Sequence, residues 1–112
     1  MPSKYGNRKT TLNGVEFDSH KEAQRYAQLR LLERAGRITN LRCQVKYILI
    51  PAQRDAKGKP LERECSYVAD FVYFDLTLGR EVVEDAKGYR TDAYKLKKKM
   101  MLWFHGIQIT ET

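Results

Sequence analysis

Helix, three strands, helix, strand is the element order that the chain spells out, and it predicts an α/β fold whose mixed central sheet is flanked by helices. Three observations carry that expectation. A segment over 19–35 places Ala23, Tyr26, Ala27, Leu29, Leu31 and Leu32 among Arg and Glu, the apolar surface of a helix. Three runs rich in β-branched and aromatic residues, over 44–50, 63–76 and 81–87, are separated by polar, Gly- and Pro-containing turns. A second helical stretch, 91–105, precedes a last short apolar run at 107–110. Consecutive strands with short turns form an antiparallel meander, and a strand that returns after a helix pairs parallel.

Each element has its own signals. Asn13-Gly14 between apolar flanks marks a hairpin turn within 11–17. Asp18-Ser19 opens the first helix, Ser19-His20-Lys21-Glu22 matches a capping box, and Gly36 stops it after about Ala35. Pro51 ends the first strand, and 55–60 is a polar turn. Leu78-Gly79-Arg80 turns the chain into the third strand, which Gly88 breaks. Thr91-Asp92 caps the second helix and Gly106 ends it. Met100, Met101, Trp103 and Phe104 are expected in the core. A basic flexible arm over 1–10 precedes a single domain over 11–112, a length that supports one modest core.

Lys and Arg outnumber Asp and Glu by 21 to 14, a net charge of +7. That balance favours a polyanionic partner, with nucleic acid as the first candidate. The two cysteines, Cys43 and Cys65, and the two histidines, His20 and His105, form no zinc-ligand spacing. The basic, polar start Met1-Pro2-Ser3-Lys4-Tyr5 lacks the apolar stretch of a leader, and no segment is long enough to span a membrane. The expectation is a cytoplasmic protein with buried, reduced cysteines, no membrane partner and no small-molecule cofactor.

The chemistry concentrates in two strands. Asp70 is a lone acid in the apolar run 67–74, where an unmet carboxylate costs several kcal/mol. Asp85 and Lys87 are two apart in Val83-Glu84-Asp85-Ala86-Lys87-Gly88, so an extended chain sends both side chains to one face. Two acids beside an ammonium fit a small metal site that cleaves phosphodiesters. A shift of one residue in register would instead present Glu84. The bland alternatives are a solvent-facing acid at Asp70 and a surface ion pair between Asp85 and Lys87.

Asp70 followed by Asp85-Ala86-Lys87 resembles the signature of the PD-(D/E)xK nuclease superfamily, which includes restriction endonucleases and archaeal Holliday junction resolvases. Ala69 stands where the superfamily's proline often precedes the first acid. More closely, the chain resembles a family of small phage and prophage proteins of unknown function. Lys4-Tyr5-Gly6-Asn7, Phe17-Asp18-Ser19, Lys21-Glu22-Ala23, Val68-Ala69-Asp70-Phe71, Glu84-Asp85-Ala86-Lys87-Gly88 and Lys95-Leu96-Lys97-Lys98-Lys99 carry that likeness. The first helix and Leu41-x-x-Gln44 are also similar to the endonuclease subunit of some heteromeric transposases.

The resemblance implies a restriction-endonuclease-like αβββαβ core and a Mg²⁺-dependent DNA endonuclease, Mn²⁺ substituting. Asp70, Asp85 and the Ala86 carbonyl would be metal ligands, and Lys87 would orient the attacking water. Glu22 lies where relatives carry a further catalytic or metal-binding glutamate, although the capping box offers it a competing role. Lys4, Arg8, Lys9, Tyr89, Arg90, Lys95, Lys98 and Lys99 are the candidate DNA contacts, positioning the duplex without reading sequence. The resemblance also implies a phage or prophage origin in a bacterial host and action on branched recombination DNA, and resolving a junction by two symmetric cuts would favour a homodimer with two sites. The readings from other classes are a catalytically silent nucleic-acid-binding module with the same fold, and a phage protein that binds a host protein.

Overall fold

A computed structural model describes residues 10–12, 15–86 and 90–112, with side chains from Glu16 onward within that range. The expected αβββαβ core is present: α1 (His20–Arg34), β3 (Ile38–Ile50), β6 (Cys65–Asp75), β7 (Arg80–Asp85), α2 (Asp92–His105) and β8 (Thr110–Glu111). Two small hairpins decorate it, β1 (Thr10–Leu12) with β2 (Val15–Phe17) and β4 (Gln53–Arg54) with β5 (Pro60–Glu62). Thr10, placed in the basic arm by the sequence reading, is thus the first residue of β1. The central sheet has strand order β3-β6-β7-β8 and is mixed. β3, β6 and β7 form the antiparallel meander, and β8 joins β7 in parallel.

The helix ends follow the capping signals. Ser19 is extended, and its hydroxyl accepts the Glu22 N–H at 3.2 Å. At the other end Gly36 has φ +75°, which lets Gly36 N–H reach Glu33 O and Arg37 N–H reach Leu32 O, the paired closure of a Schellman motif. Thr91 caps α2 through its hydroxyl, and Gly106 (φ +66°) ends it.

Two apolar clusters sandwich the sheet. Under α1, Phe17, Tyr26, Leu29, Phe71 and Val82 pack together, with the Phe17 and Tyr26 ring centroids 4.9 Å apart. Under α2, Tyr67, Val72, Val83, Tyr94, Met101 and Ile109 do the same. Among the described residues no helix is long and apolar enough to cross a membrane.

Four expectations are corrected. β3 starts at Ile38 rather than 44, because the left-handed φ of Asn40 (+57°) and Gln44 (+54°) interrupts the alternation that marks a strand. Leu31 is 64% exposed, since it projects about 200° round the helix from buried Leu29. Met101 is buried, but Trp103 is 84% exposed and Phe104 is also largely exposed, the same rotation carrying Trp103 away from the sheet. Cys43 and Cys65 are free thiols but only half-buried.

Candidate active site

The last paired residues of the β6–β7 ladder at this end are Phe71 and Glu84. One step further the strands bring Asp70 and Asp85 abreast. The next amide, Ala86 N–H, donates to Asp70 Oδ2 at 2.8 Å instead of to a backbone carbonyl. Asp70 therefore touches the peptide that joins Asp85 to Ala86. On its other side, the Asp85 carbonyl accepts the Thr112 N–H at 3.0 Å, so the end of β7 is held from both flanks.

Asp85 is 1% exposed, and its Oδ2 accepts the Tyr67 hydroxyl at 2.6 Å. Such a charge-assisted bond offsets much of the cost of burying a carboxylate. Burial first, and Asp85 second, push the Tyr67 phenol far above its ordinary range, so it stays a donor. Asp70 is half-buried, so the pair joins one deep and one shallower acid.

Glu22 is 5% exposed. Its backbone N–H serves the Ser19 cap, while its carboxylate Oε1 accepts Gln44 Nε2 at 2.6 Å. The helix cap and the carboxylate's long-range contact are therefore made by different atoms of one residue. Gln44 was not among the candidate site residues, although Leu41-x-x-Gln44 had marked it as family-like. Its left-handed φ falls in β3 between the pairs Cys43–Phe71 and Val45–Ala69, opposite the position of Asp70. A non-glycine residue in that conformation costs about 1–2 kcal/mol, and such strain concentrates at functional sites. Burial and the Glu22 charge also push the neighbouring Cys43 thiol up, which keeps it unreactive.

Glu84 settles the register. It is fully buried on the opposite face from Asp85, where Arg25 of α1 grips it through Nε–Oε1 (2.8 Å) and Nη2–Oε2 (2.7 Å). Tyr73 donates its hydroxyl to the same carboxylate. The bidentate pair ties α1 to β7, and Glu84 does not compete with Asp85 for the site.

Beside Asp85 across the parallel pair stands Glu111. Lys98 Nζ lies 3.0 Å from its Oε1, and Tyr94 Oη (2.9 Å) and Arg90 Nε (2.7 Å) reach Oε2. The Lys98 hydrogen bond is the main cause that lowers the Glu111 pKa. Two of the expected DNA contacts, Arg90 and Lys98, are thus engaged internally, whereas Lys95 and Lys99 are exposed. Lys4, Arg8, Lys9, Lys87 and Tyr89 lie outside the described residues.

A cleft of about 190 Å³ opens between α1 and the end of β7, lined by Lys21, Gln24, Arg25, Gln28, Ala86 and Thr112. Among the described residues no three His, Cys, Asp or Glu side chains converge as a metal-binding group, so Glu22 is not brought in as a third carboxylate ligand. Asp70 and Asp85 alone suit Mg²⁺, which takes one or two protein carboxylates and completes its octahedron with water and substrate phosphate.

The chain belongs to the family described as "Protein of unknown function (DUF1064)", which matches residues 2–110. No curated protein and no solved structure matches it.

Proposed function

We propose that this DUF1064 protein is a Mg²⁺-dependent DNA endonuclease of the PD-(D/E)xK type. The observation that carries the reading is the contact of the Asp70 carboxylate with the Asp85–Ala86 peptide, where β7 ends. Two acids of a metal-dependent phosphodiesterase have to meet at one place, and these two do so from strands joined by a tight turn.

In this reading Asp70 and Asp85 would hold Mg²⁺, with the Ala86 carbonyl as a third candidate ligand, and the ion would supply Lewis-acid polarisation of the scissile phosphate. Tyr67 orients Asp85 by donating to Oδ2. Lys87 orients the attacking water and offsets charge that develops on the phosphoryl oxygens. Glu22, whose carboxylate accepts from the Gln44 amide, would serve as a positioning group for water. Lys95 and Lys99, with Lys4, Arg8, Lys9 and Tyr89 of the sequence, contact phosphates, and their contribution weakens as salt rises.

One domain of 112 residues offers little surface for reading base sequence, so DNA structure is the favoured determinant of cutting. A junction, cut symmetrically, would require two copies of the chain. The test is cleavage of a labelled four-way junction, a fork and a linear duplex with Mg²⁺, Mn²⁺ or EDTA, beside Asp85→Ala. Metal-dependent cutting that Asp85→Ala abolishes supports the enzyme. Binding of all three DNAs without cutting under either metal replaces it with a silent nucleic-acid-binding module.

A further inference from the structure

Trp103 is the chain's single tryptophan, and at 84% exposure it stands almost free on the outer face of α2. The buried face of this helix is set by Tyr94 and Met101. Spacings of four put Lys95, Lys99 and Trp103 along one ridge on the other side, with exposed Leu96 seven residues before Trp103 on the same face. Trp103 so placed contributes nothing to the core, and it is not alone: Leu96, Leu102 and Phe104 of the same helix are also more than half exposed, and a cluster of large exposed apolar residues marks a binding surface.

The charges around it select the partner. Lys95 and Lys99 flank the approach to Trp103, Lys97 lies on the same helix, and the only acid in α2 is Asp92 in its first turn. Two copies meeting through this face would set lysine against lysine, which opposes self-association. A basic ridge ending in an aromatic face matches the physics of single-stranded nucleic acid, in which phosphates follow the cations and a base stacks on the ring. The first turn of α2 lies beside the candidate site: buried Tyr94 has its ring next to Tyr67 with centroids 6.4 Å apart, and Trp103 follows nine residues later on the opposite face of the helix. That is about 14 Å along the helix, roughly four nucleotides at duplex spacing.

We propose that the outer face of α2 binds unpaired DNA, with Lys95 and Lys99 on the phosphates and a base stacked on Trp103. The choice of DNA rests on the nuclease reading, and the proposal deepens it by naming single-stranded flanks, such as those of forks and flaps, as the part of the substrate held there. The stacking residue makes binding of duplex alone weaker, because its bases already stack on each other.

The single tryptophan makes its own fluorescence the readout. The full chain in EDTA is titrated with a 12-nucleotide oligothymidylate and with a duplex of equal length, while anisotropy of a labelled copy of each reports binding independently. The proposal expects saturable quenching by the oligonucleotide and about tenfold weaker binding of the duplex. Trp103→Ala should weaken oligonucleotide binding about tenfold and Trp103→Phe should recover most of it. Lys99→Ala should reduce the slope of log affinity against log salt by about 0.7. Oligonucleotide binding without quenching, unaltered affinity in Trp103→Ala, or no binding of the oligonucleotide overturns it. So does a fluorescence change that follows protein concentration without DNA, which assigns the face to a second copy. Because no metal is present, a protein that never cuts DNA still gives the expected quenching. Absence of quenching leaves the cleavage test unaffected.

Discussion

The Tyr67 hydroxyl lies 2.6 Å from Asp85 Oδ2, and the two residues come from adjacent strands, both past the Phe71–Glu84 end of the β6–β7 ladder. The Tyr67 hydroxyl thus donates to a carboxylate that is 1% exposed. Tyr67→Phe keeps the ring and removes the donor. We expect a loss of about 1–3 kcal/mol in urea unfolding, the cost of stripping a donor from a buried acceptor. A variant as stable as the parent would show that this bond does not hold Asp85.

Burial and a carboxylate partner raise the phenol pKa of Tyr67, Tyr73 and Tyr94 above the ordinary value near 10. The unfolded chain then releases these protons at lower pH than the folded one. Stability from the three phenols is complete below pH 10 and falls as pH rises from there toward their folded pKa values. Urea midpoints at pH 8.5, 10 and 11 should drop across the last two, and Tyr67→Phe should flatten the drop. A midpoint independent of pH over that range would contradict the assignment.

Arg25 and Glu84 bind bidentately with Glu84 fully buried. Arg25→Ala leaves that carboxylate without its counter-charge, and about 3–5 kcal/mol of stability should be lost. The loss should change little between low and moderate salt, because the pair is shielded from the ionic atmosphere. An effect below 1 kcal/mol would mean that α1 is anchored to the sheet by apolar packing alone.

Much of this architecture is readable in the chain, and the unread parts have physical causes. Ser19, Gly36, Thr91 and Gly106 mark helix ends because capping is local chemistry, complete within a few residues. The first half of β3 is not readable because Asn40 and Gln44 take left-handed φ within it, and the Gln44 contact with Glu22 lies 22 residues away in sequence. The fate of Glu84 depended on Arg25, 59 residues earlier, and no local pattern encodes that meeting. Leu96, Met100, Met101, Leu102, Trp103 and Phe104 place apolar residues around most of α2, so periodicity could not tell buried Met101 from exposed Trp103. Asp70 and Asp85 stand out because an acid in an apolar strand is costly unless it is met, and here the Ala86 N–H meets the one and the Tyr67 hydroxyl the other.

Gln44 separates backbone strain from side-chain function. Gln44→Ala and Gln44→Gly both lose the amide that holds Glu22, but only alanine retains the left-handed cost. Gln44→Gly should therefore be about 1 kcal/mol more stable than Gln44→Ala. If Glu22 serves the reaction, both variants should lose cleavage to a similar extent despite differing in stability. Activity that followed stability instead would confine Gln44 to a structural role.

The most direct test of the account is Mg²⁺-dependent cleavage of a labelled branched DNA by the parent chain and by Asp70→Asn, which is nearly isosteric and sits at a half-buried position. With circular dichroism showing both folded, the account predicts cutting by the parent that EDTA stops, and a reduction of at least 100-fold in Asp70→Asn. Equal cleavage by the two proteins would contradict the assignment of Asp70 and its neighbour Asp85 as the catalytic pair.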